Sequence, residues 1–198
     1  MNIGRLKRLF GIALVTNERQ PELYKQERWG DLEAFFKTKK LNGQVLPDGS
    51  TVYWPPANGG YDMATVSLTK GMKFDRYQKT VRNITDEKPL ITGTYTSPIE
   101  NGKTFDYAAR ALEGTENSYD LYYEIEILED LPFMGEKAKV IPWHGYKGNG
   151  VQTQFKFPID NSLSWQKLEE GGYIKSTLHS SPSGKYEILS ENKIKLKN

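Results

Sequence analysis

Cysteine is absent from this sequence. That excludes disulfides, thiolate nucleophiles and Cys-type zinc sites. It fits either the cytosol or secretion from a cell that does not rely on disulfides, and does not choose between them. Histidine is scarce. His144 and His179 lie far apart, and neither has a carboxylate three or four residues on, so no metal site is expected. Basic runs are lacking too, and the net charge is only +2. Phosphate neutralisation needs a concentrated basic patch, so nucleic acid is not the expected partner. No apolar run is long enough to span a bilayer. Residues 9–15 are apolar and follow Arg5, Lys7 and Arg8, as in a signal peptide. But Asn17, Glu18 and Arg19 come next without a small-residue cleavage site. The run reads as a short strand or helix packing on the body. GxSxG, P-loop and GxGxxG patterns are all missing.

Apolar and aromatic residues are present in quantity, at 37% and 12% of the 198 residues. That is enough for one domain with a real core. Residues 21–40, PELYKQERWGDLEAFFKTKK, read as helix, either bent or in two pieces jointed at Gly30. Pro21 suits a first helical position, Asp31 a cap, and Leu32, Phe35 and Phe36 one face. Beyond them the texture is of strands. Residues 44–56 form a hairpin around Asp48-Gly49, and an alternating stretch turns at Lys70-Gly71. In SYDLYYEIEILEDLP, Leu121, Tyr123, Ile125 and Ile127 share one strand face. TFDYAARAL reads as a helical turn or two, capped by Thr104. VQTQFKF follows a glycine loop, NSLSWQKLEEGGYIK is a helix stopping at Gly171-Gly172, and KYEILSENKIKLKN is a hairpin. The sum predicts an α+β fold: a compact, mostly antiparallel sheet with N-terminal helices and a short C-terminal helix. The expected division is a helical segment at 1–45, a core at 46–176 and a tail at 177–198.

Glu124 and Glu126 share a strand face, as a catalytic pair could, although a solvated strand face is the more common reason for such a pair. Arg76, in KFDRY, and Arg110, in AARAL, are candidate anion ligands that also suit structural ion pairs. GYKGNG, residues 145–150, would let a backbone approach a ligand closely, or simply turn.

The order of the pieces carries more than any one of them. WPPANGG, KFDRY, GTYTSP, GKTFDYAARAL, DLP, IPWHGYKGNGVQTQF and LEEGGYIK follow one another as in the tuberculosis necrotizing toxin family. The sequence resembles those NAD glycohydrolase toxin domains over residues 54–174. The resemblance implies hydrolysis of NAD+ or NADP+, as substrate and not cofactor, to nicotinamide and ADP-ribose. It also implies secretion or delivery into a target cell, and a cognate immunity protein as partner. It places Arg76, Tyr95 and Gln154 at the catalytic centre, with Gln152 a lesser neighbour. Arg110 would hold the pyrophosphate, with Gly150, Tyr122 and Phe105 beside it on the substrate side.

This sequence departs from the family pattern in three places. Gln78 stands where a glycine is expected, and an insertion of residues 79–91 follows it. Asn149 interrupts the glycine loop. The strand ending at Leu131-Pro132 lacks the family histidine and offers Tyr122, Tyr123 and Glu124 instead. Either Tyr123 takes its place, or the role is dispensable, or the activity is altered. Two other readings compete: an ADP-ribosyltransferase using Glu124 or Glu126, and a non-catalytic aromatic-rich glycan-binding module.

Overall fold

A computed structural model describes residues 19–79, 81, 89–191 and 193–197. The apolar run at 9–15 and most of the insertion after Lys79 lie outside them. The fold is α+β. Two helices, α1 (Arg19–Lys25) and α2 (Trp29–Lys39), precede the strands. Leu23, Tyr24, Trp29, Leu32, Phe35 and Phe36 bury their shared face against Ile141 and Trp143. The joint between the helices is not Gly30, which lies inside the first turn of α2. It is Glu27, whose left-handed φ of 54° cannot continue a helix. Asp31 is not the cap either. It sits in the first turn of α2 and pairs with Arg28 at 2.7 Å.

The strands are β1 (Gly43–Val45), β2 (Thr51–Tyr53), β3 (Gly60–Ser67), β4 (Lys73–Gln78), β5 (Tyr95–Ile99), β6 (Leu121–Ile127), β7 (Met134–Val140), β8 (Val151–Phe155), β9 (Ile174–Ser180), β10 (Tyr186–Ser190) and β11 (Lys193–Leu196). β1 and β2 form the expected hairpin, and β10 and β11 another. The remaining seven make one antiparallel sheet in the order β3-β7-β8-β5-β4-β6-β9. β6 alternates strictly, and its four apolar side chains are fully buried. Helix α4 (Trp165–Glu170) covers that face of the sheet, adding Trp165 and Leu168 to Phe74, Ile125, Ile127 and Phe155. Ser164 caps α4 through Lys167 N–H at 3.2 Å, and Gly172 follows at φ 73°.

Sequence pattern did not announce β7 and β9. β7 lacks large alternating apolar residues because its Gly135 lies against Leu68; a Cβ there would be 3.0 Å from that side chain. β9 is an edge strand of the sheet and runs across residues 176 and 177, where core and tail were expected to part. The helical turn of TFDYAARAL is α3 (Tyr107–Arg110). Its cap is Asp106, which accepts from Ala109 N–H at 2.7 Å, and not Thr104.

One feature of the sheet creates a cavity. β5 pairs with β4 only where Ser97, Pro98 and Ile99 face Asp75, Phe74 and Lys73. Its other end, Tyr95 and Thr96, pairs with β8. β4 continues along β6 through Arg76, Tyr77 and Gln78. The two strands therefore part after Asp75 and Ser97, and a wedge opens between them. Pro98 has no N–H to add to the ladder, consistent with a strand whose pairing changes partway.

Candidate active site

The wedge is a cleft of about 360 Å³. Arg76, Tyr77 and Gln78 of β4 line it together with Gly93, Thr94 and Tyr95, and Arg110, Tyr119 and Gln152 line it too. Arg76 and Tyr95, which the resemblance puts in one site, lie side by side in the fold. The Arg76 Nη1 donates to the Tyr95 carbonyl. Its Nε is buried without a hydrogen-bond partner, and no carboxylate pairs with it among the described residues. Burial pushes the Arg76 guanidinium down to about 10, while Tyr119 and Tyr123 oppose that shift. Gly93 makes the room, since a Cβ there would sit 2.6 Å from Arg76 Nη2.

Arg110 is placed differently. Its two terminal nitrogens bind Asp75 as a fork, with Nη2 to Oδ2 at 2.7 Å. Its Nε donates to the Phe105 carbonyl at 3.0 Å, and its plane lies 5.1 Å from the Tyr77 ring centre. Tyr122 adds its hydroxyl to Asp75 Oδ2 at 2.8 Å. Burial pulls the Arg110 guanidinium down, but the bonds and charge of Asp75 outweigh it and hold it above its usual value. Asp75 and Arg110 thus line the cleft as a satisfied pair, held by Tyr122 and the Phe105 carbonyl, which do not line it. The sequence motifs do not single out Asp75. Alternation puts it on the opposite face of β4 from Phe74 and Arg76, and a buried carboxylate there requires a cation.

Gln154 and Gln152 project from the same face of β8. Gln154 faces Tyr95 across the ladder, donates to Thr94 Oγ1 at 3.4 Å and accepts from Lys156. Gln152 lines the cleft and donates to the Asn58 carbonyl at 3.2 Å. Tyr123 lies away from the cleft lining. It is fully buried among Leu121, Leu178, Tyr186 and Ile194, and its hydroxyl donates to the Pro89 carbonyl at 2.7 Å. Burial raises its pKa.

Gly150 is a point of close approach, but to the chain itself: a Cβ there would meet Ala109 O at 2.6 Å. Gly150 N–H donates to that same oxygen at 2.9 Å, docking the glycine loop onto α3. Gln78, in place of the family glycine, is buried. It ties down the end of the insertion through Leu90 O at 3.1 Å and Thr92 N–H at 2.8 Å. Glu124 and Glu126 share Lys73, at 3.2 and 3.4 Å, in a separate surface hollow with His179. No cluster of three or more metal-ligating side chains occurs among the described residues.

Among the described residues the cleft offers an arginine with no carboxylate partner, tyrosine hydroxyls and glutamine amides. The one carboxylate lining it among the described residues, Asp75, is already neutralised by Arg110. That suits binding of an anionic group beside a polar reacting centre, and does not suit two-carboxylate acid–base chemistry. No family model and no curated protein matches the sequence. Among solved structures, the chain is similar to tuberculosis necrotizing toxin in complex with its immunity factor, with a TM-score of 0.47 and 24% identity. That match covers 67% of this chain and 65% of the other, just under two thirds of its length.

Proposed function

We propose that this chain is an NAD+ or NADP+ glycohydrolase that cleaves the nicotinamide–ribose bond, releasing nicotinamide and ADP-ribose. The observation that carries the reading is Arg76, a half-buried side chain that lines the cleft and whose Nε is buried without a hydrogen-bond partner among the described residues. The ordered motifs of the sequence support it. A lone buried cation costs free energy unless an anion joins it, and a pyrophosphate supplies one. The nicotinamide of NAD is cationic and leaves as a neutral ring, so its departure needs no general acid. What remains is stabilisation of an oxocarbenium-like ribosyl centre and a placed water. Arg76 holds the pyrophosphate, the Tyr95 hydroxyl lies toward the ribose, and an amide of β8 orients the water. Transfer of ADP-ribose to a macromolecule would call on Glu124 or Glu126, which lie in the separate hollow. Depletion of NAD would make the chain a toxin. A cell producing it would then need an immunity protein that covers the cleft.

The test is nicotinamide release from NAD+ and from NADP+ by the purified protein, with no acceptor added. Gln152→Ala and Gln154→Ala divide the amide role. The variant that loses the water-orienting amide should fall by about two orders of magnitude in kcat, with KM changed less. Absence of nicotinamide release by the wild type sinks the reading. Full activity in both variants removes the amide step.

A further inference from the structure

A further cation, unused in the chemistry above, lines the same cleft. It is Lys79, one residue beyond the end of β4. The structure makes room for it as it does for Arg76. Gly114 stands beside the amine at φ 81°, and a Cβ there would sit 3.3 Å from Lys79 Nζ. The ring of Tyr119, itself in the cleft lining, has its centre 5.2 Å from that nitrogen, within reach of a cation–π contact. Lys79 Nζ also pairs with the Glu113 carboxylate. The backbone around Glu113 is fixed by other groups. Its carbonyl accepts the Tyr119 hydroxyl at 3.0 Å and the Tyr107 hydroxyl at 3.3 Å, and the Gly114 carbonyl accepts the Tyr146 hydroxyl at 2.7 Å. Three tyrosines thus hold this loop without help from Lys79.

The cations of the lining differ in what holds them. Arg110 is buried in its fork with Asp75. Lys79 is exposed over 40% of its side chain, and its carboxylate partner lies outside the lining. An ion pair that open to water contributes little, so an anion with more charge and more acceptor oxygens can displace the carboxylate. A phosphate is such an anion. Along an extended chain, three residues set the Cα atoms of Arg76 and Lys79 about 10 Å apart. That spacing suits two phosphate groups better than one.

We propose that Lys79 is a second phosphate ligand of the cleft, releasing Glu113 to bind a phosphate of the dinucleotide that Arg76 does not hold. The proposal rests on the glycohydrolase reading. Two phosphates qualify: the other half of the diphosphate bridge, common to NAD+ and NADP+, and the terminal 2′-phosphate that only NADP+ carries. Calorimetric titration with ADP-ribose and with its 2′-phosphate reads binding without turnover. Lys79→Met should weaken binding about tenfold, as expected for one exposed charge-assisted hydrogen bond. The melting temperature should barely move, because the ion pair lost is an exposed one. Equal weakening of both ligands puts Lys79 on the diphosphate. Weakening of the 2′-phosphate alone makes it the residue that favours NADP+. Glu113→Gln removes the competing carboxylate and should tighten whichever ligand Lys79→Met weakens. If Lys79→Met changes neither affinity, or Glu113→Gln weakens binding as much as Lys79→Met, the pair is structural and the proposal is overturned. Nicotinamide release is scored separately. A wild type whose binding depends on Lys79 but which releases no nicotinamide sinks the glycohydrolase reading and leaves the phosphate ligand standing. A wild type that binds neither ligand overturns both.

Discussion

Two arginines face one cleft and are held in opposite ways. Arg110 is wrapped: a fork of bonds to Asp75, a carbonyl behind its Nε, and an aromatic ring beside its plane. Among the described residues Arg76 has one bond, to the Tyr95 carbonyl, and a buried Nε with no partner. The first is what a protein does with a cation it keeps for itself. The second is the arrangement that the proposed role of Arg76 as an anion ligand calls for. Sequence type could not separate them, because both sit in short motifs of the same resemblance. The difference lies in where the neighbouring carboxylate points. Asp75 is adjacent to Arg76 in sequence, and alternation along β4 turns it away toward Arg110.

The largest expected effect comes from breaking the satisfied arginine. Arg110→Met leaves Asp75 buried with only the Tyr122 hydroxyl to compensate it. Removing one partner of a buried pair costs on the order of 3–5 kcal/mol. Urea unfolding should show a loss of that size whether or not NAD is present. Joint replacement, Arg110→Met with Asp75→Leu, should recover much of it, because no orphaned charge then remains. A single-variant loss below about 1 kcal/mol would show that the pair does not hold the wall.

Much of the fold could be read from the chain where pattern and burial coincide. β6 alternates because one of its faces is core, and α4 begins at a serine cap and ends at two glycines. β7 was not legible, because a glycine packing on Leu68 replaces the bulky alternation that marks a strand. β9 was not, because IKSTLHS buries Ser176 in the sheet where a hydrophobic residue would have signalled a strand. For the site, motif order led to Arg76 and Tyr95. It could not show that Gln152 rather than Gln154 lines the cleft. One pleat along β8 decides that, and pleat position relative to a splitting strand is a tertiary property. Nor could it show that Gly150 spends its close approach on Ala109, or that the insertion after Lys79 ends pinned to Gln78.

Breaking the unsatisfied arginine should give the inverse profile. Arg76→Met should lower kcat/KM for NAD by about 100-fold, as expected when a charge-assisted bond to a phosphate is lost. Stability should hold or rise. The guanidinium sits at about 10 in the folded chain, below its unfolded value, so folding disfavours its charged form. That cost is present at every pH below about 10 and is relieved as pH climbs from there toward the ordinary arginine value. The gain from Arg76→Met should therefore be largest at neutral pH and shrink above pH 10. Inorganic pyrophosphate should raise the melting temperature of the wild type and leave Arg76→Met unmoved. If pyrophosphate stabilises both equally, Arg76 is not the anion ligand and the contrast with Arg110 fails.

The smallest effect is expected at Tyr123, one of the residues this sequence offers on the strand where the resemblance expects a histidine. Its hydroxyl donates to the Pro89 carbonyl, and its ring lies in the core with Leu121 and Leu178. Tyr123→Phe keeps the ring and removes one buried hydrogen bond, a loss of about 1 kcal/mol. Pro89 begins the stretch that leads to Thr92 and Gly93 at the cleft, so a change there could reach the site. Gln78 guards against that, since it holds the same stretch through Leu90 and Thr92 independently of Tyr123. Nicotinamide release should accordingly match the wild type while the unfolding midpoint falls slightly. If instead turnover drops tenfold or more at unchanged stability, Tyr123 reaches the reacting ribose in the working enzyme. The cleft between β4 and β5 would then have to open further toward β6 than the folded chain shows.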